Sequence, residues 1–218
     1  MTPKTLRGAL YLAGFIIGAG FFGLPFAARE AGFFVTLTFL VLGLGLVILI
    51  HLAFGEIVLR TKEEYGFFGY VEKYLGRDMR NFAIISGMAG ILGTLLVYII
   101  LGSNFISILI PFVSIKQSIF ILSLLGLVIL QRGLWFSSKV EVGGTVLLVV
   151  VLILLSLISF SHFEPQHLIR GSFSSIFLPY GIALFSLIGS SAIPDLVKIF
   201  SRQRGSIRPA IILGSLIP

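Results

Sequence analysis

The sequence contains no cysteine and very few charged residues. Among its 218 residues, 11% are charged and 57% are apolar, whereas soluble globular proteins carry about 25% charged residues. Without cysteine the chain forms no disulfide, no thiolate metal site and no cysteine nucleophile. The scarcity of charge, together with a mean hydropathy of +1.09, excludes an ordinary soluble domain and indicates a membrane protein.

Apolar runs long enough to cross about 30 Å of hydrocarbon recur along the whole chain. The sequence therefore predicts an all-α polytopic membrane protein with a single transmembrane domain over residues 1–218. The predicted spans are Leu6–Ala28, Phe33–Leu59, Phe82–Ile110, Ser118–Leu134, Val140–Phe160 and Ser174–Phe200, with a seventh starting at Ala210. The stretch Lys62–Arg80 mixes charged and aromatic residues, which indicates a short amphipathic segment at the membrane surface.

The basic residues predict the orientation in the membrane. If the N-terminus is cytoplasmic and the spans alternate, only three of the 16 Lys and Arg residues lie outside: Arg29, Lys116 and Arg170. Because short cytoplasmic loops carry an excess of basic residues, we expect a multi-pass protein of the cell membrane (plasma or inner) with a cytoplasmic N-terminus. This topology explains the net charge of +7, so the expected partner is the lipid bilayer and no nucleic acid is expected.

The first predicted span contains a stretch that is unfavourable for a continuous helix. This stretch is Gly18–Pro25, with the sequence GAGFFGLP. Inside a helix, Gly costs about 1 kcal/mol relative to Ala and Pro costs about 3 kcal/mol. One interpretation is close helix packing, since Gly14 and Gly18 are four residues apart. The other is a discontinuous helix, of the kind that builds binding sites in the middle of the bilayer in secondary transporters.

The sixth predicted span repeats this pattern and favours the discontinuous helix. In Phe185–Lys198, FSLIGSSAIPDLVK, Pro194 follows Gly189 at the same spacing at which Pro25 follows Gly20. By the loop charges, the two spans run in opposite directions across the membrane, which is the relation that inverted five-helix repeats require. A pair of Gly/Pro-interrupted spans at corresponding positions of two repeats points to a transporter binding site.

Three motifs resemble the aromatic amino acid permeases and the amino acid/auxin permeases of the amino acid–polyamine–organocation superfamily. IIGAGFFGLPFAAREAGF is similar to their first helix, LFSLIGSSAIPDL to their sixth and RPAIILGSLIP to the start of their seventh. The resemblance covers the whole chain but only the N-terminal part of the family's length. It implies the first repeat of five helices plus the sixth helix of a leucine-transporter-type inverted-repeat fold, with discontinuous helices 1 and 6.

The same resemblance implies ion-coupled symport of a neutral, large apolar or aromatic amino acid by alternating access. The coupling ion (H⁺ or Na⁺) and the particular amino acid are left open, and no cofactor and no enzymatic activity are expected. The alternative is a non-transporting membrane subunit or amino acid sensor that retains the permease site. Because the chain stops inside an apolar run at Pro218, we expect a fragment of a longer permease. The alternatives are a truncated permease and a split one whose C-terminal half is a separate partner chain.

The residues themselves also suggest a substrate site at the two breaks. Where the first span unwinds, the amides of Gly18, Ala19 and Gly20 and the positive end of the next half-helix suit a carboxylate. The carbonyls that end the first half of span six, near Ser186–Ile188, suit an ammonium group. Because glycine lets a ligand approach the backbone, a side chain at Gly20 is expected to harm transport far more than folding.

Side chains near the breaks complete the predicted site. The full substrate-binding set is Gly18, Ala19, Gly20, Phe21, Tyr98, Phe185, Ser186, Gly189 and Ser190. The two phenylalanines are predicted to form an apolar wall. Tyr98 resembles a tyrosine common in the family's third helix, with a hydrogen-bonded core aromatic as the equal alternative. The serine hydroxyls either contact the substrate or bond back to their own helix.

Two acidic residues within the spans are candidates for proton coupling, because ionisable groups at membrane depth are functional candidates by default. Glu56 lies one turn before Arg60, so an interfacial ion pair is the favoured alternative. Asp195 follows Pro194 and is favoured as a residue that stabilises a helix N-terminus. His51, the midspan histidine, is interpreted as a hydrogen-bonded packing residue. No His, Asp or Glu grouping has the spacing of a metal site, so no metal is expected.

Overall fold

The computed structural model describes residues 3–131, 147, 150–159, 164, 168, 171–199 and 204–218, and the regular structure in these ranges is helical, with no strand. In chain order the helices are α1 (Pro3–Ile16), α2 (Ala19–Ala31), α3 (Phe33–Arg60), α4 (Phe67–Leu75), α5 (Arg77–Leu109), α6 (Ile115–Gln131), α7 (Val150–Ser159), α8 (Leu178–Leu187), α9 (Ile193–Ile199) and α10 (Arg204–Leu216). Short 3₁₀ turns, Phe173–Ser175 and Ser190–Ala192, precede α8 and α9. The all-helical prediction is confirmed for the described residues.

The chain divides into two units. The first unit combines Met1–Ala83 with Phe163–Pro218, and the second is Ile84–His162. Helices α1 to α4 and α8 to α10 belong to the first unit, so both predicted breaks lie within it. The single transmembrane domain expected from the hydropathy stays a prediction.

Three described stretches are long and apolar enough to cross a membrane: Phe33–Arg60, Arg77–Leu109 and Leu178–Lys198. A fourth candidate is the bent pair formed by α1 and α2, if the two are counted as one span. The second stretch, α5, has 33 residues, about 50 Å of helix at 1.5 Å per residue. It is therefore longer than the hydrocarbon layer of about 30 Å, and its charged first turn belongs outside that layer.

The remaining predicted spans are described in part. Helix α6 corresponds to the fourth span. Of the fifth span, Val140–Phe160, only residues 147 and 150–159 lie among the described residues. Helix α10 begins at Arg204, before the predicted start at Ala210. The helix begins earlier than predicted because its first residues include Arg204 and Arg208, and a prediction from hydropathy detects only the apolar part that follows.

The core of the first unit lies where α1, α3, α9 and α10 meet. Leu12, Ile193 and Ile211 are each at most 1% exposed. A Cβ on Gly55 of α3 would lie only 2.8 Å from the Ile211 Cδ1 atom, so α3 and α10 approach closely at this glycine. Since lipid is as apolar as a leucine side chain, helices in a membrane associate through such close packing more than through hydrophobic burial.

Helix α4 has a buried aromatic residue and exposed charges, as an amphipathic surface segment should. Tyr70 is 3% exposed, and its ring centroid lies 5.7 Å from that of Phe54 and 5.5 Å from that of Tyr65. On the exposed side Lys73 donates a hydrogen bond to Glu63. This bond raises the pKa of Lys73 and so stabilises the charged form of the lysine. The location of the segment at the membrane surface stays a prediction.

A single residue, Gly32, connects α2 to α3. Its φ of 96° lies in the region that favours glycine, and its N–H donates to the Ala28 carbonyl at 3.0 Å. Its own carbonyl accepts from the Thr36 hydroxyl at 3.0 Å. This short link holds the second half of the first span beside α3, the helix against which α8 also packs.

Candidate functional site

The first span is broken between α1 and α2. Helix α1 ends at Ile16 and α2 begins at Ala19, and the two halves are bent by 64°. Gly18 between them is extended, with φ −155° and ψ −158°. The sequence predicted an interruption within Gly18–Pro25, and the structure places it at the beginning of that stretch. Gly20, Phe21 and Phe22 already belong to the first turn of α2, because the extended Gly18 alone redirects the chain.

The sixth span is broken between α8 and α9. Helix α8 ends at Leu187, and Ile188 is extended with ψ 128°. After Gly189 the chain makes a 3₁₀ turn, Ser190–Ala192, in which the Ala192 N–H donates to the Gly189 carbonyl at 3.0 Å. The break predicted within Phe185–Lys198 is therefore present, and it is centred on Ile188 and Gly189.

The two breaks lie side by side. A Cβ on Gly20 would lie 2.6 Å from the Ser186 Cα atom and 2.9 Å from the Phe185 Cδ1 atom. A Cβ on Gly189 would lie 2.6 Å from the Ile16 Cγ1 atom. Each break thus packs a glycine against the other broken span. The expectation that a side chain at Gly20 harms transport far more than folding is corrected here, because that side chain would collide with helix backbone.

The start of α2 presents backbone amides at the break. Ala19 and Gly20 are its first two residues, so their N–H groups have no carbonyl four residues earlier within the helix. The next amide, Phe21 N–H, donates to the Gly18 carbonyl at 3.1 Å. Free amides at the positive end of a helix dipole form a favourable environment for an anion.

The end of α8 presents backbone carbonyls at the same place. The last four carbonyls of any α-helix have no amide donor within that helix. In α8 these are the carbonyls of residues 184–187, and the Ser186 hydroxyl does not use them, because it donates to the preceding Ala183 carbonyl at 2.9 Å. The carbonyls of Phe185 to Leu187 carry the negative end of the dipole and suit a cation. The candidate site therefore pairs an amide-rich surface with a carbonyl-rich surface.

His51 of α3 reaches this break, which the sequence did not predict. Its Nε2 atom accepts a hydrogen bond from the Gly189 N–H at 3.1 Å, and its Nδ1 atom lies 3.0 Å from the Ser215 Oγ atom. His51 is fully buried and Ser215 is 1% exposed. The interpretation of His51 as a hydrogen-bonded residue holds. Its partner in the break, Gly189, is 138 residues away in the sequence, so no local sequence pattern indicates this contact.

The side chains predicted to bind the substrate differ in their exposure and in their hydrogen bonds at the break. Ser186 bonds back to its own helix, as one of the two alternatives had it. Phe185 is 47% exposed, Phe21 and Ser190 are half-buried, and the Phe185 ring lies near Gly20. Gly189 uses its amide on His51. The role of all these residues in substrate binding stays a prediction.

Tyr98 belongs to α5 in the second unit, where 45% of it is exposed. It is therefore not among the residues that the first unit brings together at the breaks. Its predicted role as a substrate-binding hydroxyl remains a prediction.

Both candidate proton-coupling residues have ion-pair partners. Glu56 accepts from Arg60 at 2.7 Å, as the favoured alternative had it, and also from Arg208 of α10 at 3.2 Å. Asp195, in the first turn of α9, pairs with Lys198 at 3.2 Å. A role in proton coupling stays a prediction for both. In the part of the chain that the structure describes, no group of three His, Asp or Glu side chains is placed to hold a metal ion.

The fold and the candidate site define a class: a helical membrane protein with two adjacent discontinuous helices. The model of the tryptophan/tyrosine permease family matches residues 1–218, and the chain belongs to this family. Searches of the curated proteins and of the solved structures find no match. The predicted resemblance to the aromatic amino acid permeases is thus confirmed. Membership of this permease family, together with the apolar helices, indicates a membrane protein and suggests amino acid transport.

Proposed function

We propose that the chain holds the substrate site of an ion-coupled symporter for aromatic amino acids. One observation carries this proposal: the free amides of α2 and the free carbonyls of α8 meet where Gly20 packs against Ser186. A zwitterionic amino acid needs donors for its carboxylate and acceptors for its ammonium group a short distance apart. The N-terminus of α2 supplies the donors and the C-terminus of α8 supplies the acceptors, in each case from the main chain.

The carboxylate is assigned to the amides at Gly18, Ala19 and Gly20. Helix dipoles place about half a positive elementary charge at a helix N-terminus and about half a negative one at a C-terminus. The ammonium group is assigned to the carbonyls that end α8, from Phe185 to Leu187. Both groups of the substrate then lie at helix ends of opposite charge, which excludes molecules that lack either one.

The substrate side chain is assigned to an aromatic wall that includes Phe21 and Phe185. Phe185 is 47% exposed although it sits beside the packed Gly20–Ser186 contact, so its ring is accessible to a ligand. Aromatic rings favour edge-to-face or offset contacts with other rings, worth about 0.5–1.5 kcal/mol beyond burial. The name of the family, tryptophan/tyrosine permease, agrees with substrates that make such contacts.

Transport is proposed to follow alternating access in an inverted-repeat fold, with H⁺ or Na⁺ as the coupling ion. Glu56 is the stronger of the two candidates for the proton-linked residue, because its ion pair with Arg208 joins α3 to α10. Protonating Glu56 would release both arginines and loosen that junction. Among the residues that the structure describes, Asp195 pairs with Lys198 of its own helix, so its protonation would have a smaller structural effect.

The proposal is tested by transport in liposomes that contain the purified full-length protein. Labelled tryptophan, tyrosine, phenylalanine and alanine are supplied under an imposed H⁺ or Na⁺ gradient. We expect saturable uptake of the aromatic amino acids, with weaker competition by analogues that lack the amino group or have an amidated carboxylate. Binding of aromatic amino acids without flux would instead support the sensor alternative. Neither binding nor uptake of any amino acid would overturn the proposal.

A further inference from the structure

We propose that His51 is a positioning residue that keeps the sixth span open, and that it thereby frees the Phe185 carbonyl for the substrate ammonium group. The second part of this inference rests on the function proposed above. The observation that carries it is the hydrogen bond from the Gly189 N–H to the His51 Nε2 atom, 3.1 Å long.

This bond removes the amide that a continuous helix would use. In an α-helix each N–H donates to the carbonyl four residues earlier, so the amide of Gly189 would pair with the carbonyl of Phe185. His51 takes that amide instead, and the Ile188 backbone between them is extended. The helix therefore ends at Leu187, and the Phe185 carbonyl is left without the donor that a regular helix would supply.

The hydrogen bonds also fix the protonation state of His51. Its Nε2 atom accepts a hydrogen bond from the Gly189 N–H, so Nε2 carries no proton of its own. The imidazole is then neutral, with its single proton on Nδ1, and this proton is donated to the Ser215 Oγ atom 3.0 Å away. The Gly189 N–H thus selects the tautomer, because a serine hydroxyl can either donate or accept. The two bonds join α3 to α10 on one side and to the broken span on the other.

The surroundings of His51 explain why a polar residue is needed there. His51 is fully buried, and Ser215 is 1% exposed. An apolar residue would fill the space, yet it would leave the Gly189 N–H with no acceptor other than helix carbonyls. Because an unpaired amide in a membrane interior is very unfavourable, the amide would return to Phe185 and the break would close.

Two substitutions separate positioning from simple packing. His51→Leu fills a similar volume but accepts no hydrogen bond, whereas His51→Gln keeps an acceptor that can reach Gly189. In the full-length protein we expect His51→Leu to weaken tryptophan binding roughly ten- to hundredfold, the usual effect of losing a hydrogen bond to a charged group. Binding of the tryptophan analogue without its amino group should change little. His51→Gln should restore most of the affinity for tryptophan.

The result that would overturn the inference is equal weakening of both ligands by His51→Leu, or the same weakening by His51→Leu and His51→Gln. Either would mean that His51 only supports packing. If the wild-type protein binds no amino acid at all, the proposed function fails.

The opening of the span is then tested without a substrate. In the full-length protein in liposomes, ¹⁵N labelling of histidine restricts the NMR spectrum to the histidine side chains, and His51→Gln identifies the signal of His51. We expect a neutral imidazole that is protonated on Nδ1 and hydrogen-bonded at Nε2. A proton on Nε2 would contradict the inference whether or not the protein transports amino acids.

Discussion

The backbone of Ser186 occupies the space into which a side chain at Gly20 would project. A Cβ on Gly20 would lie 2.6 Å from the Ser186 Cα atom and 2.8 Å from its N atom. The obstacle is helix backbone rather than a flexible side chain, so neither half-helix can yield without moving the other. This contact holds the two breaks side by side.

Gly20→Ala is therefore expected to reduce both stability and uptake. Overpacking a tight contact typically costs about 1–3 kcal/mol, and separating the half-helices would also separate the amides from the carbonyls. Gly14→Ala in the same broken span is the matched control, because nothing lies within 4 Å of the position of its Cβ. Thermal melting in detergent and uptake in liposomes measure the two effects. Equal melting temperatures for the two variants would contradict the packing argument.

Ser186→Ala is expected to change substrate affinity less than about twofold. The Ser186 hydroxyl already donates to the Ala183 carbonyl at 2.9 Å, and such bonds to a residue's own helix contribute little to stability. Ser190→Ala is the comparison, because Ser190 is half-buried and follows the break. Competition binding with labelled tryptophan measures both variants. A tenfold loss for Ser186→Ala would show that the hydroxyl turns towards the substrate.

The predicted topology is tested by single cysteines in this cysteine-free chain. Glu64→Cys lies in the exposed segment before α4, and Arg29→Cys lies in the exposed last turn of α2. With a cytoplasmic N-terminus, an impermeant maleimide added outside intact cells should label Arg29→Cys and leave Glu64→Cys unlabelled until the membrane is opened. The opposite pattern would invert the assignment made from the loop charges.

Local sequence was sufficient to predict the two breaks but not their register. Glycine and proline are unfavourable inside helices wherever they occur, so Gly20 with Pro25 and Gly189 with Pro194 marked the right stretches. Which residue leaves the helix is decided by packing between the spans. Gly20 must stay helical to lie against Ser186, so the first break falls at Gly18 instead.

The contacts that support the site could not be predicted from the sequence. His51 bonds to Gly189 at a separation of 138 residues, and Glu56 bonds to Arg208 at a separation of 152. A single sequence carries no signal for such pairing, because each residue looks ordinary in its own helix. Glu56 with Arg60, four residues apart, was predictable because helix geometry alone brings them together.

The last prediction concerns whether Glu56 is a structural or a proton-linked residue. If the ion pairs are only structural, Arg208→Gln should lower the melting temperature by a small amount, and Glu56→Gln by slightly more because it also removes the pair with Arg60. The double variant should add little to Glu56→Gln, because the contact with Arg208 is already lost. Arg60→Gln is the control, since its pair with Glu56 lies within one helix.

Uptake driven by a pH gradient is measured in parallel. If Glu56 carries the proton, Glu56→Gln should abolish the dependence of uptake on the gradient, whereas Arg208→Gln should keep it. Full gradient dependence in Glu56→Gln would exclude Glu56 as the coupling residue.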